Sequence, residues 1–271
     1  MRIRRMGIAV GAASLLGLGA AAWAGDGQQR VRPVVHVPSG YLLGGTVNGA
    51  WRDGKTVARL LRGGERYRVH GRAGLLGTSA GGRPKATEAD LCPEAFHVEF
   101  SPSRAGAQVA VGGTGNALPR PVTRLDPAAP VYREAVRQLL VRRGIARPTV
   151  RVTGAYRADL EGDGRDEVIV SAMRGDLSGG ISVRAGDYSL LFVRTVIGGQ
   201  VRTVMLADEY HPRASNEQII NEHTVAGVLD VDGDGAYEIV THSRYYEGDW
   251  ATVHRVRNGR KQELATTGCG V

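Results

Sequence analysis

Two nine-residue stretches of this chain decide how its fold is interpreted: residues 159–167 read DLEGDGRDE and residues 230–238 read DVDGDGAYE. Both carry carboxylates at positions 1, 3, 5 and 9 and a glycine at position 6. An apolar segment starts directly after each stretch, at Val168 and at Ile239. The stretches begin 71 residues apart (230 − 159). This shared spacing of charge and glycine indicates an internal repeat with an acidic connection.

The segments around both stretches follow the same order, in which one strand precedes the acidic turn and three strands follow it. In the first copy the predicted strands are Val150–Ala158, Val168–Ala172, Tyr188–Val196 and Val201–Leu206. In the second copy they are His223–Leu229, Ile239–Ser243, Trp250–Val256 and Lys261–Ala265. Gly-Asp-aromatic triplets at 186–188 and 248–250 predict about nine extra loop residues in the first copy, within Arg174–Ala185. Each copy therefore predicts a four-stranded antiparallel meander that must stack on a neighbour, as propeller blades do.

Carboxylates crowded into so short a loop repel one another unless a cation lies among them. Calcium takes about six to eight oxygen ligands in flexible geometry, which this spacing can supply. The expected ligands are Asp159, Glu161, Asp163, Glu167 and the backbone carbonyl of Arg165 in the first loop, and Asp230, Asp232, Asp234, Glu238 and the carbonyl of Ala236 in the second. Because Glu is longer than the usual Asp or Asn at position 3, the first site is expected to bind more loosely. A magnesium ion and a solvated acidic turn without an ion stay open as alternatives.

The pattern Asp-x-acid-Gly-Asp-Gly-x-x-Glu followed by an aliphatic strand resembles the loops of FG-GAP or VCBS-type repeats. Such repeats build calcium-stabilised β-propeller blades. The resemblance covers roughly residues 150–266, and residues 41–111 contain no acidic loop of this kind. It implies that the calcium is structural and that a ligand-binding surface lies elsewhere.

The region before the repeats predicts further β structure and one helix. Glycine contributes 39 of the 271 residues, which indicates many tight turns. A helix is predicted near 131–143, where Val131, Ala135, Val136, Leu139 and Leu140 form one apolar stripe. The chain is therefore expected to be mainly β, with blade-like antiparallel meanders that form a partial or small propeller, and one helix. Strands are predicted at Tyr41–Val47, Lys55–Leu61, Arg66–His70, Ala95–Phe100 and Ala107–Val111, with mostly loop over 71–93.

The first 24 residues have the pattern of a secretory signal peptide. Arg2, Arg4 and Arg5 precede an uncharged run over 8–22, and Ala22-Trp23-Ala24 fits a cleavage site. An uncleaved membrane anchor is the alternative, although the run is short for a spanning helix. The expected location is periplasmic or extracellular, with no membrane span in the mature chain. The predicted organisation is a signal peptide over 1–24, a flexible leader over 25–38, a β-rich region with connector and helix over 39–149, and two repeats over 150–271.

The chain has two cysteines, Cys92 and Cys269. An even pair in an exported chain favours a disulfide, which would tie the middle of the chain to its C-terminal end. Two free thiols are the alternative. Two cysteines cannot form a zinc site by themselves.

The net charge and the sequence motifs limit which classes of function the chain can have. Removing the signal lowers the formal net charge from +8 to +5 (8 − 3), and no base-reading motif accompanies this charge, so no nucleic-acid partner is expected. The segment Gly77–Gly81 has nucleophile-elbow spacing, but no helix is predicted after it. The sequence favours a non-catalytic calcium-binding module for structure, adhesion or envelope interaction. It leaves the partner unknown, and an envelope glycan or protein is one candidate. An exported hydrolase of glycans or envelope polymers, with a site in Arg72–Pro93 or Tyr245–Trp250, is the alternative, so catalysis stays open.

Overall fold

The computed structural model describes residues 30–87, 92 and 94–270 of the chain. The predicted signal peptide over 1–24 and the first part of the predicted leader lie outside the described residues. The fold is mainly β and its sheets are antiparallel, as the sequence predicts. The strands are β1 (Val31–His36), β2 (Tyr41–Val47), β3 (Ala50–Arg52), β4 (Arg66–Gly71), β5 (Gly74–Gly81), β6 (Lys85–Ala86), β7 (Phe96–His97), β8 (Phe100–Ser101), β9 (Ala107–Gly112), β10 (Thr123–Arg124), β11 (Val152–Ala158), β12 (Glu167–Arg174), β13 (Asp187–Ile197), β14 (Gln200–His211), β15 (Glu222–Leu229), β16 (Glu238–Tyr245), β17 (Gly248–Arg257) and β18 (Arg260–Gly270). The α-helices are α1 (Gly54–Ala58) and α2 (Pro130–Arg142).

The first nine strands form one sheet, which we call the half-barrel. Its order is β6-β7-β2-β1-β9-β4-β5-β8, and β3 pairs with β2. The short strands β7 and β8 lie near opposite ends of this order, yet only Val98 and Glu99 separate them. The sheet must therefore curl until its two ends approach each other. Val98 is buried in the core that this curvature encloses.

The two repeats form two separate sheets, which we call blade one (β10–β14) and blade two (β15–β18). In each, the four predicted strands pair in sequence order as an antiparallel meander. The connector is the segment between β9 and α2, residues 113–129. It contains β10, which adds a fifth strand to the edge of blade one, beside β11. The boundary expected at 149/150 therefore separates residues that belong to one sheet.

The ladder register corrects the predicted length difference between the copies. Arg174 pairs with Tyr188 in blade one, whereas Tyr245 pairs with Gly248 in blade two. The intervening connections hold 13 residues (175–187) and two residues (246–247), so the first copy carries 13 − 2 = 11 extra residues rather than about nine. The two Gly-Asp-aromatic triplets consequently occupy different ladder positions.

The three sheets stack in layers, because an apolar face of a sheet must be covered by another element. The half-barrel packs on one face of blade two, and blade one packs on the other face. The outer face of blade one is covered by α2, whose Val136 and Leu140 are fully buried against Val170 and Phe192. The helix thus closes one end of the stack of sheets.

Three predictions in the N-terminal half are wrong. The sequence predicts a flexible leader over 25–38, but Val31–His36 form β1, an internal strand between β2 and β9. The strand expected over Lys55–Leu61 is instead α1 for most of its length, since Asp53 caps the helix by accepting a hydrogen bond from the Thr56 amide at 2.7 Å. Strand β5 lies within 71–93, which the sequence predicted to be mostly loop.

The helix prediction near 131–143 is confirmed by α2, although Val131 is 62% exposed and lies off the buried stripe. The disulfide prediction is also confirmed: Cys92 and Cys269 are bonded, with their Cα atoms 5.4 Å apart. Cys92 lies just before β7 and Cys269 lies in β18. The bond therefore fastens the half-barrel to blade two.

Candidate metal centre

The second acidic loop is folded around the carboxylate of Asp230, which follows the last residue of β15. Its Oδ1 accepts a hydrogen bond from the Gly233 amide at 2.5 Å, and its Oδ2 accepts one from the Gly235 amide at 3.1 Å. Both glycines have positive φ angles, 86° and 90°, which other residues adopt only with strain. The glycine at position 6 of the motif therefore allows the turn that wraps the backbone around this carboxylate.

Three carboxylates of this loop converge. Asp230, Asp232 and Glu238 each place one oxygen within 4.8 Å of the others. Glu238 is fully buried and Asp230 is 5% exposed. Burial, with the nearby charge of Asp232, raises the pKa of Glu238 to about 7, and burial also raises the pKa of Asp230. A hard divalent cation would offset the cost of this concentrated charge, so the three donors fit calcium chemically.

Arg255 supplies positive charge to the same loop. It lies in β17 directly opposite Glu238 in the ladder, and its Nε donates to Glu238 Oε1 at 2.9 Å. Its Nη2 donates to a carboxylate oxygen of Asp232 and lies 3.9 Å from Asp234 Oδ2. Asp234 also accepts a hydrogen bond from Arg257 at 2.9 Å, and it lies outside the converging trio. A cation at this loop therefore competes with the guanidinium of Arg255 for carboxylate oxygens.

The first acidic loop has the same backbone turn but a different arrangement of its acids. Asp159 accepts hydrogen bonds from the amides of Gly162, Asp163 and Gly164, at 2.7, 3.1 and 3.0 Å. Glu161 accepts a hydrogen bond from the Asn258 amide at 2.9 Å, in the hairpin turn of blade two. The five carboxylates of this loop, all within the described part of the chain, include no group of three with oxygens as close as those of Asp230, Asp232 and Glu238.

The buried glutamates of the two loops differ in what faces them. Glu167 accepts hydrogen bonds from the Leu160 amide at 3.0 Å and from the Thr195 hydroxyl at 3.1 Å. Burial raises the pKa of Glu167, and the charges of Glu161 and Asp163 add to the effect. The neutral Thr195 thus stands in the first copy where the charged Arg255 stands in the second.

The residue at position 7 forms the same backbone hydrogen bond in both loops. The Arg165 amide donates to Asp163 Oδ1 at 2.9 Å, and the Ala236 amide donates to Asp234 Oδ1 at 2.8 Å. The aspartate at position 5 therefore closes a small turn in each loop. This shared local geometry agrees with the internal repeat predicted from the spacing.

The two loops lie side by side, and Arg120 of the connector joins them. Its Nη1 donates to the Gly235 carbonyl at 2.7 Å, while its Nε and Nη2 donate to the Asp159 carbonyl at 3.0 and 2.9 Å. Its guanidinium also lies over the Tyr237 ring, 4.6 Å from the centroid. The Tyr237 amide donates to the Leu160 carbonyl at 2.7 Å, which links the loops directly. Sequence reasoning missed Arg120, because nothing in the Pro-rich connector marks it.

A second polar cluster lies between the half-barrel and blade two. The rings of His36 and His242 stack with their centroids 4.6 Å apart. Asp249 accepts a hydrogen bond from Tyr41 at 2.9 Å and is hydrogen-bonded to His242 at 2.7 Å. Ser39 Oγ lies 2.7 Å from His36 Nδ1. No sequence motif links His36 and His242, since only the stacking of the half-barrel on blade two brings them together.

The segment with nucleophile-elbow spacing has a structural role. Residues 77–81 lie in β5, and Ser79 is 3% exposed. Its hydroxyl donates to the Pro102 carbonyl at 2.7 Å. A buried strand serine with this partner is not presented at a strand-to-helix turn, as that motif requires.

No protein-family model matches this chain, and no curated protein and no solved structure matches it either. The resemblance to FG-GAP or VCBS-type repeats stays a prediction from the loop motif. Among residues 30–87, 92 and 94–270, no helix is long and apolar enough to cross a membrane.

Proposed function

We propose that this chain is an exported calcium-binding repeat protein that acts without catalysis, as a structural or adhesive module of the cell envelope. The observation that carries the proposal is the convergence of Asp230, Asp232 and Glu238 oxygens within 4.8 Å at a connection between two blade strands. Three carboxylates at this distance, two of them buried, favour occupation by a hard divalent cation.

The position of the trio supports a structural role for the ion. Asp230 directly follows β15 and Glu238 starts β16, so an ion bound by both ties the ends of neighbouring strands together. The loop also contacts the first loop through Leu160 and Arg120. An ion that binds only the folded chain stabilises it by mass action, so calcium is expected to raise the stability of both blades.

Export is supported by the disulfide between Cys92 and Cys269, because such bonds persist mainly in oxidising compartments. The basic start of the chain and the cleavage pattern at Ala22–Ala24 support the same destination. The proposed partner is an envelope glycan or an envelope protein, since the ion-binding loops carry no reactive constellation of their own.

The test is thermal unfolding of the oxidised protein in chelator, in calcium and in magnesium. Calcium is expected to raise the melting temperature more than magnesium does. Asp230→Asn keeps one oxygen, for the Gly233 amide, but places its NH2 group toward the Gly235 amide and removes the charge, so it should abolish most of the calcium response. Asp176→Asn is the matched control, because Asp176 also accepts a backbone hydrogen bond, from Ser178 at 2.9 Å, outside the acidic loops. Equal responses of both variants to calcium would refute the assignment.

One contact favours the second candidate, an exported hydrolase of glycans or other envelope polymers. Ser39 Oγ lies 2.7 Å from His36 Nδ1, which is the pairing of a hydroxyl nucleophile with a base. Asp249, however, is hydrogen-bonded to His242 rather than to His36. The experiment is turnover of acetylated glycans and of simple esters by the protein and by Ser39→Ala. Turnover that Ser39→Ala abolishes would favour this candidate over the non-catalytic module.

A further inference from the structure

A cavity of about 430 Å³ lies where the half-barrel, the connector and both blades meet. Its walls include Leu118 and Val122 of the connector, Tyr156 of blade one and Val228 of blade two. The volume falls within the range of roughly 300–1,000 Å³ that is usual for small-molecule sites. Such sites commonly lie between structural layers and combine apolar walls with a few polar groups. The cavity is separate from the carboxylate trio, none of whose residues lines it.

His70 provides an unsatisfied polar group in the wall of this cavity. It is 3% exposed, and neither Nδ1 nor Nε2 has a hydrogen-bond partner among the described residues. In the half-barrel it pairs with Val109, which belongs to the core between the half-barrel and blade two. Paired residues share a face of the sheet, so His70 lies on the face that looks toward β15. A buried polar group without a partner is costly unless something in the cavity satisfies it.

The ring of His70 is neutral at neutral pH. Burial lowers its pKa to about 4, and the charge of Arg68 adds to the effect. A neutral imidazole offers one N–H donor and one acceptor nitrogen. The donor can therefore hold an acceptor atom of a bound molecule without a proton being transferred.

Both charged side chains among the described lining residues, Arg72 and Arg120, are positive. Arg72 is exposed and lines the cavity, and it forms no hydrogen bond or ion pair with any residue that the structure describes. Arg120 also lines it, but its guanidinium is held by the carbonyls of the two acidic loops. The described lining residues include no acid. Among the described residues that line the cavity, an anion therefore meets the guanidinium of Arg72 and no carboxylate.

We infer that this cavity binds a small amphipathic carboxylate, whose apolar body lies against the connector and blade walls and whose carboxylate is held by Arg72 and His70. The carboxylate accepts hydrogen bonds from both side chains, which satisfies the donor of the buried imidazole. The apolar body covers the walls formed by Leu118, Val122 and Val228. This site is independent of calcium in the acidic loops.

The experiment is calorimetric titration of the purified, oxidised protein with three probes of equal tail length: octanoate, 1-octanol and octylammonium. Octanoate should bind saturably at one site, octanol about tenfold more weakly, and octylammonium without saturation, since a charge-assisted contact is worth about tenfold in affinity. Titrations in sub-millimolar calcium and in chelator should agree. A protein that does not respond to calcium would therefore still test whether the cavity binds a carboxylate, and a protein that does not bind octanoate would still test the calcium proposal.

Two variants test the residues. Arg72→Glu should weaken octanoate binding by about tenfold or more, whereas the matched control Arg202→Glu, also exposed but not lining the cavity, should leave it unchanged. His70→Leu should weaken octanoate binding while the protein keeps at least its parental melting temperature, because the change removes an unpartnered buried polar group. The proposal is overturned if the three probes bind alike, if none binds saturably, or if Arg72→Glu matches Arg202→Glu. A cavity that holds only water gives the second of these results.

Discussion

Arg255 faces Glu238 across the ladder between β16 and β17, and its Nε donates to Glu238 Oε1 at 2.9 Å. Glu238 is fully buried, so this guanidinium neutralises a carboxylate that water cannot reach. The same guanidinium bonds to Asp232, a second member of the carboxylate trio. The second loop thus carries an internal cation at the place where the proposed calcium ion would act.

Replacement of Arg255 by glutamine should therefore make the protein depend on calcium. In chelator and at a pH above 7, where Glu238 is ionised, Arg255→Gln should lose about 3–5 kcal/mol of unfolding free energy, because a buried charge loses its partner. Calcium should bind this variant about tenfold more tightly than the parent and restore much of the loss, since a competing charge is gone. Denaturant unfolding and calcium titration measure both effects.

Arg257→Gln is the matched control for that prediction. Arg257 contacts Asp234 at 2.9 Å but touches no member of the trio, and it lies on the exposed end of β17. Its removal should change the free energy of unfolding by less than about 1 kcal/mol. If Arg255→Gln and Arg257→Gln behaved alike in chelator and in calcium, Arg255 would have no role as an internal cation.

The register explains why Arg255 could not be identified from the sequence. Motif spacing alone predicts the acidic positions, the eight blade strands and the pairing of strands in order. Which residue of β17 faces Glu238 depends on the two-residue turn at Tyr246 and Glu247, and a shift of one residue would place Val256 there instead. The sequence predicts the wrong difference in length between the connections at 175–187 and 246–247, because the Gly-Asp-aromatic triplets indicate an equivalence that the ladders do not have.

Other features depended on tertiary packing that no local pattern encodes. His36 and His242 stack because blade two packs on the half-barrel, although 206 residues separate them (242 − 36). The strand predicted over Lys55–Leu61 has β-compatible residues, but the capping Asp53 begins a helix there. The spacing of the acids therefore locates the charged loops, whereas the residues that other layers bring to these loops depend on contacts between the sheets.

The disulfide should contribute strongly to stability. The bond closes a loop of 177 residues between Cys92 and Cys269, so it removes many conformations from the unfolded chain. The double variant Cys92→Ser with Cys269→Ser should lose about 4–5 kcal/mol of unfolding free energy. Urea unfolding of the variant, of the oxidised parent and of the reduced parent measures this loss. The variant should match the reduced parent, and a match with the oxidised parent would contradict the prediction.

The cover that α2 provides over blade one can be tested at a single side chain. Leu140 is fully buried against the blade, so Leu140→Ala should cost about 2–5 kcal/mol of unfolding free energy. Val131 is on the same helix but 62% exposed, so Val131→Ala should change this free energy by only about 0.5 kcal/mol. Urea unfolding compares the two variants. Equal losses would mean that α2 does not pack on blade one as described.

Acid should destabilise the protein through its buried histidines, and His254 gives the clearest test. It is 5% exposed, and burial, aided by the charges of Lys261 and His223, lowers its pKa to about 4. In the unfolded chain His254 takes up a proton near pH 6.5, whereas in the folded chain it does so only near pH 4. The contribution of neutral His254 to the unfolding free energy is therefore fully present above pH 6.5 and is lost progressively between pH 6.5 and pH 4.

Replacement of His254 by leucine removes this difference in proton uptake between the unfolded and the folded chain. Between about pH 6 and pH 4.5, the unfolding free energy of His254→Leu should fall less steeply than that of the parent, by about 1.4 kcal/mol per pH unit. Urea unfolding across this range, in chelator, measures the difference. His36 and His70 have similarly lowered pKa values, but they titrate alike in both proteins and cancel in the comparison. Parallel slopes would show that His254 is as accessible to protons in the folded chain as in the unfolded one.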